Sequence, residues 1–455
     1  MPSIRAKKII PKQSPLDSSS AVASAMAAVG PSDGLNVRYR IQGGKPLKGT
    51  VDISGSKNAA LPLIAGTLLC KGTVTMKNVP RLRDTATLLA TLRFLGATVS
   101  ENGTTVTINT DKVESKPIPH QFVSKLRGSI ILLGPLLARF GEVEMAYPGG
   151  CVLGKRPVGT HILAFQQLGV EDLSTDSTLK LVGKPRGGEV ILPEFSVTAT
   201  ENILLAAALM TEPVKIELAA AEPHVQDVCK FLANRGVKID GIGSHSLSIQ
   251  GGANRLPGNT HTVTSDYLEA GAFILAGLVT RGSIRLRNAD RTHLISFLGA
   301  IGRAGGKVTC EKNGDILVNG AGSALKATRI QTNIFPGFPT DLQAPFGVLL
   351  TQAEGVSRIF EVLFDGRMAY LYELEKMGAH IEILNSHQAL VIGPTTLRGR
   401  QVPSNDIRAG VAMVIAGLAA QGETDVTDVR YIERGYDRLE EKLKMLGADI
   451  IREEE

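Results

Sequence analysis

The sequence predicts an α/β protein built from six copies of one unit, arranged as two domains of three units around buried helices. Three observations predict it. A glycine that closes a helix recurs at positions 96, 169, 236, 305, 378 and 447, with gaps of 73, 67, 69, 73 and 69 residues. A second series of helix stops precedes the first by 23 to 28 residues, at Gly72, Gly141, Glu212-Pro213, Gly282, Gly355 and Gly422. Six helical stretches between these marks are apolar nearly all round. Two interleaved series with one period identify an internal repeat.

Each unit reads as strand, apolar helix, strand, amphipathic helix, strand. The apolar helices are expected at Ala59–Leu69, Ser129–Ala138, Ile203–Met210, Ala270–Val279, Ala344–Leu350 and Ala409–Ala419. A helix without a polar face belongs in the middle of a fold. Three such helices around an axis, enclosed by sheets, satisfy that, and six units then make two domains. Gly134-Pro135 should kink the second helix. Beyond the first 35 residues the chain has 420, which is six units of 70.

Residues 1–36 stand apart. They carry Lys7-Lys8, Ser18–Ser20 and Ala-rich 21–28, and only two acids, Asp17 and Asp33. Such composition resembles a transit peptide; a disordered extension is the other reading. Either way the segment is excluded from the fold.

Composition removes several functional classes. Apolar residues make up 43% and charged residues 21% of the chain, which excludes a wholly disordered protein. The absence of a long apolar run argues against a membrane span. Cys70, Cys151, Cys229 and Cys310 are 81, 78 and 81 residues apart, neither a disulfide framework nor a metal-ligand spacing. A cytoplasmic location is the expectation. The charge of +6 suits anionic ligands. With 4% aromatics and no tryptophan, the stacking platforms of a single-strand nucleic-acid binder are scarce.

Every apolar helix opens on polar residues. Ser, Thr, Asn and Asp there are ordinary N-caps, but Lys57, Arg127 and Arg408 are not. A cation in the first turn opposes the helix dipole. Repeating that cost points to a shared anion where helix starts converge. Between a strand and a helix lies a second feature, Tyr147-Pro148-Gly149-Gly150-Cys151-Val152-Leu153-Gly154-Lys155-Arg156-Pro157. Its glycines let backbone approach a ligand. Lys155 and Arg156 favour the thiolate of Cys151. A glycine-rich loop with a poised thiol reads as a lid over a phosphorylated substrate. The other three cysteines read as buried small hydrophobes.

Ser54-Gly55-Ser56-Lys57-Asn58-Ala59-Ala60-Leu61-Pro62, Pro148-Gly149-Gly150-Cys151 with Arg156-Pro157, Phe338-Pro339-Thr340-Asp341 and Glu433-Arg434-Gly435-Tyr436 resemble the enolpyruvyl transferases. The resemblance runs in order over about residues 37–452. It is most specific to the branch that uses UDP-N-acetylglucosamine, since the sister shikimate branch lacks the cysteine loop. It implies two inside-out α/β prisms, with the chain crossing twice between them. One domain would be 37–57 plus 266–455 and the other 58–265, the latter carrying the Cys151 lid. It implies transfer of the enolpyruvyl group of phosphoenolpyruvate to the 3′-hydroxyl of UDP-N-acetylglucosamine with release of phosphate, the first committed step of peptidoglycan synthesis.

By motif match, Lys57, Arg156 and Arg434 would grip the phosphate, and Arg367 and Arg408 the carboxylate. Asn58 would sit between the substrates. Asp341 would accept the proton of the attacking hydroxyl, Asp406 would manage the proton at the methylene carbon, and Cys151 would be the proton donor and the target of fosfomycin. Arg127, Arg156, Pro157, Val158, Ser196, Val197, Asp341 and Leu363 would contact the UDP-sugar. No metal or other cofactor is implied. The expected partners are small molecules, with no nucleic acid and no membrane, and the chain is expected as a monomer or weak homo-oligomer. Four positions depart from the family pattern. Gly159 stands for an acid, Glu194 for a base, Tyr267 for an arginine and Gly366 for an asparagine. Competing readings are a transferase with another nucleotide or sugar acceptor, and a catalytically silent UDP-sugar-binding paralogue. The joint presence of Cys151, Lys57, Asp341, Arg408 and Arg434 counts against silence.

Overall fold

A computed structural model describes residues 37–124, 126–149 and 158–454; the tail 1–36 lies outside the described residues. The repeat appears as backbone geometry. Gly96, Gly169, Gly236, Gly305, Gly378 and Gly447 all have φ between 79° and 109°, the left-handed region that a side chain disfavours. In the second series Gly72, Gly141, Gly355 and Gly422 are also left-handed, but at Gly282 the left-handed residue is Arg281. Gly282 is needed for another reason: a Cβ there would lie 2.3 Å from the Leu47 carbonyl oxygen.

The nearly all-apolar helices are Lys57–Gly66, Leu133–Phe140, Val197–Ala207, Tyr267–Val279, Gln343–Thr351 and Ile407–Ala419. The second differs from expectation. Arg127–Leu132 is 3-10 and the α-helix begins only at Leu133. That start places Pro135 in the first turn, where its missing N–H has no intrahelical partner to lose.

Among the described residues five sheets have four strands in a recurring order. In one, Arg329–Gln331 runs parallel to Gly355–Phe360, which is antiparallel to Gln388–Gly393, itself antiparallel to His380–Asn385. A sixth sheet has three strands, and the Ile118–Met145 bridge stands in for its parallel edge. The first strand of the chain completes the last unit: Val37–Gln42 lies between Glu423–Thr427 and Asp449–Glu454, antiparallel to both.

Buried apolar side chains form two cores. One gathers residues from Ala59 to Val263, the other Val37–Ile53 and Tyr267–Ile450. The chain passes between them twice. Strand Lys48–Asp52 pairs with Ser283–Arg287 beside the second core, yet the next helix, Lys57–Gly66, is buried in the first. Conversely, Thr260–Thr262 pairs with Thr73–Lys77, and the next helix, Tyr267–Val279, enters the second core.

The two crossings hold one another. Gly55 bridges to Ser265, Ser56 N–H donates to Thr264 O at 2.7 Å and Asp266 N–H to Ser54 O at 2.8 Å. Side-chain amides of Asn78 and Asn288 donate to the carbonyls of Val263 and Ile53 at 3.0 and 2.9 Å. The crossings bring helix starts of both cores to one cleft.

Candidate active site

Lys57 is the first residue of its helix and Ser56 its N-cap. The cation therefore sits where the dipole disfavours it, and a carboxylate compensates. Lys57 Nζ lies 2.6 Å from Asp84 Oδ2. Arg434, in the 3-10 turn Val429–Arg434 of the other core, donates Nε–H to Asp84 Oδ1 at 3.0 Å. Asp84 opens the Arg83–Leu95 helix and is only 2% exposed. Burial opposes its ionisation, but Lys57 and Arg434 outweigh burial and hold the carboxyl below its ordinary range. Two cations from two cores thus converge on one fixed carboxylate.

A second cluster mirrors the first. Arg408 donates Nε–H to Asp341 Oδ2 at 3.0 Å, and Arg367 donates to Asp341 Oδ1. Arg408 Nη1 also reaches the Tyr436 hydroxyl at 3.2 Å. Both arginines are buried, whereas the Asp341 side chain is 30% exposed. Asp341 is therefore the movable member. Buried Glu361 ties down the neighbouring Thr340: it accepts from the hydroxyls of Thr332 and Thr340 at 2.9 and 2.8 Å, and from the Leu363 peptide N–H at 2.9 Å.

Asp266 joins the clusters. It caps the Tyr267–Val279 helix, accepting from Leu268 and Glu269 N–H at 2.8 and 3.1 Å. Burial raises its pKa, against the pull of the Arg408 charge and a hydrogen bond from the Lys57 peptide N–H.

Asp406 is engaged as an N-cap, accepting from Arg408 and Ala409 N–H at 2.7 and 2.9 Å. Asn58 is half-buried at the second position of the Lys57–Gly66 helix. Cys151, Arg156 and Pro157 lie outside the described residues. Val158 and Gly159 begin the helix that follows.

In the first core, Ser196 caps the Val197–Ala207 helix, accepting from Ala199 N–H at 3.4 Å. Glu194 accepts from the Thr160 hydroxyl at 2.7 Å. His161 bonds Thr198 at 3.1 Å and Asn202 at 3.0 Å. Burial first, and the charge of Arg127 second, lower the His161 pKa to about 4, so its imidazole is neutral. Tyr267 is buried and edge-on to His293.

The residues to which sequence reasoning gave no role in the site are Asp84, Asp266, Glu222, His224 and Tyr436. Glu222 and His224 flank Pro223 at a helix start and lie within the field of Asp341. Burial lowers the His224 pKa to about 4. Asp84 had one readable signal, an acid in a first helical turn, which is also the commonest ornament of a helix start. Among the described residues no group of three or more His, Cys, Asp or Glu has the arrangement to hold a metal ion.

Two cores joined by a double crossing, with Lys57 of one and Arg434 of the other meeting at Asp84, have the architecture of the enolpyruvyl transferases. The EPSP synthase (3-phosphoshikimate 1-carboxyvinyltransferase) family model matches residues 41–443, and the chain belongs to this family of enolpyruvyl transferases. Among its relatives, the UDP-N-acetylglucosamine 1-carboxyvinyltransferase of Prosthecochloris aestuarii is 41% identical over 91% of this chain and 97% of its own length. That of Chlorobium phaeovibrioides is 42% identical over 91% and 97%. In fold the chain is similar to the enolpyruvyl transferase NikO from Streptomyces tendae (TM-score 0.83, 23% identity, 92% of this chain and 100% of that one). It is similar also to EPSP synthase from Acinetobacter baumannii (TM-score 0.73, 18% identity, 92% and 100%).

Proposed function

We infer that the protein transfers the enolpyruvyl group of phosphoenolpyruvate to the 3′-hydroxyl of UDP-N-acetylglucosamine and releases phosphate. The observation that carries this reading is the pair of cation clusters. Phosphoenolpyruvate has a phosphate at one end and a carboxylate at the other. Lys57 with Arg434 suits the first; the planar forks of Arg367 and Arg408 suit the second. Arg156 of the lid would add to the phosphate grip.

The burial difference supports different roles for the two carboxylates. Asp84, 2% exposed, stays in place and aims Lys57 and Arg434. Asp341, with a side chain 30% exposed, occupies the arginines until the substrate carboxylate takes them. Losing two counter-charges raises its proton affinity, which makes it the base for the acceptor hydroxyl.

The reaction then balances as an addition and an elimination. The hydroxyl oxygen bonds to C2, its proton passes to Asp341, and Cys151 protonates the C3 methylene. Loss of a C3 proton and of phosphate restores the double bond. Asp406 would take part at C3, and Asn58 would lie between the substrates. Arg127, Arg156, Pro157, Val158, Ser196, Val197, Asp341 and Leu363 would line the UDP-sugar side. The chemistry as drawn uses no metal or other cofactor. We place the domain boundaries at 37–57 plus 266–455 and 58–265, and the protein in the cytoplasm as a monomer or weak homo-oligomer.

A second reading keeps the reaction and changes the acceptor. It is favoured by Gly159, Glu194 and Tyr267, residues that depart from the family pattern on the nucleotide side; Glu194 is engaged by the Thr160 hydroxyl. A phosphate-release assay separates the two: release from phosphoenolpyruvate should require UDP-N-acetylglucosamine. Release with another nucleotide or nucleotide sugar, and none with UDP-N-acetylglucosamine, would establish the second.

A further inference from the structure

Beside the two crossings lies a cavity of about 760 Å³ that the proposed reaction does not use. Residues 260–265 form its floor. One wall is the Pro223–Ala233 helix of the first core, presenting Asp227 and Lys230; the other is Asp290–Thr292 with the turn Glu311–Gly314 of the second core. Its volume lies in the range of metabolite sites.

The charges on these walls are not equivalent. Each acid is committed to the protein. Asp227 bonds His261 Nε2 at 3.0 Å and accepts from Thr264 N–H at 2.9 Å. Asp290 accepts from the Thr292 N–H and hydroxyl at 2.8 and 2.6 Å, and lies 3.6 Å from His293. Glu311 pairs with Arg285 at 2.5 Å. The cations are uncommitted. The side chains of Lys230, Arg291 and Lys312 are exposed, and none of the three forms a hydrogen bond or ion pair with a described residue; Lys230 acts on Asp290 and His293 only through its charge. They come from both walls, so an anion between them exchanges no existing protein contact for the new one.

We propose that this cavity is a second anion site, separate from the catalytic cleft, which takes a small multivalent oxyanion (a phosphate ester or a polycarboxylate) and bridges the two cores through Lys230, Arg291 and Lys312. None of the cleft cations Lys57, Arg367, Arg408 or Arg434 lines it. Its floor ends at Ser265, next to Asp266. An occupant therefore fixes the separation of the walls at the segment that sets the cleft.

The test is calorimetric titration of the whole protein with fructose 1,6-bisphosphate and, separately, citrate. The expected result is saturable binding of at least one probe. Lys230→Ala/Lys312→Ala should weaken it by about 100-fold or more, because two charge-assisted contacts are lost, while Lys57→Ala should leave it intact. Binding of the bisphosphate alone assigns a phosphate ester, and of citrate alone a polycarboxylate. No saturable binding at millimolar concentrations overturns the proposal. So does binding that survives the double substitution, or that Lys57→Ala alone abolishes, since the anion then sits elsewhere.

Discussion

Replacing Asp84 with asparagine keeps the shape of the side chain and removes the charge on which two cations converge. The Lys57 and Arg434 side chains are only 11% and 18% exposed, so water replaces the lost partner poorly. Breaking a buried pair by removing one member costs about 3–5 kcal/mol. Asparagine can still accept one hydrogen bond, which places Asp84→Asn near the lower end, about 3 kcal/mol. Equilibrium urea unfolding measures this. Inorganic phosphate should then stabilise the variant more than the parent, because an anion that binds only the folded state at 100 times its Kd adds about 2.7 kcal/mol and the variant lacks the Asp84 charge, which repels a second anion from the same cations. The stabilisation by Asp84 should also depend on acid. Its folded pKa is depressed, so the contribution is complete above the unfolded carboxyl pKa of about 3.9 and fades as pH falls through the folded value. A loss below about 1 kcal/mol, or equal stabilisation of both proteins by phosphate, would refute a shared carboxylate that holds two buried cations.

Fosfomycin should add once, at Cys151, with Cys151→Ser remaining unmodified; an intact-mass spectrum without an adduct in the parent protein counts against a poised thiol. Stability should fall as pH drops from about 6.5 towards 4, because His161 and His224 are held neutral while their unfolded counterparts take up protons. His161→Asn should flatten that slope in pH-dependent unfolding, and an unchanged slope would remove the histidine from the account. Gly55→Ala should disrupt the crossings, since a Cβ there would lie 1.7 Å from the Asn78 carbonyl oxygen; a variant as stable as the parent by thermal unfolding would show that the segment has room to shift.

Much of the fold was legible because the repeat writes itself in glycine. The six helix-closing glycines could be read from spacing alone, and each adopts the conformation that makes glycine necessary. The all-apolar helices were legible for a similar reason: a helix without a polar face has one possible environment. The exchange of edge strands was not visible in periodicity. Lys48–Asp52 and Lys57–Gly66 are adjacent in sequence yet belong to different cores, and only the family resemblance implied a double crossing.

In the cleft, Lys57 and Arg408 announced themselves by opposing the helix dipole. Their partner carboxylates did not. Arg434 and Asp84 are 350 positions apart, and nothing local to either residue names the other. Asp406 illustrates the converse limit: its sequence position is equally that of an N-cap, and capping is what it does in the structure.

A crystal structure with phosphoenolpyruvate bound tests the central claim most directly. The account predicts the phosphate within hydrogen-bond distance of Lys57 Nζ and the Arg434 guanidinium, with Asp84 still joining them. It predicts the carboxylate on Arg367 and Arg408, with Asp341 displaced towards the acceptor hydroxyl. A substrate bound in the reverse orientation, or Asp341 still holding both arginines beside a bound substrate, would contradict it.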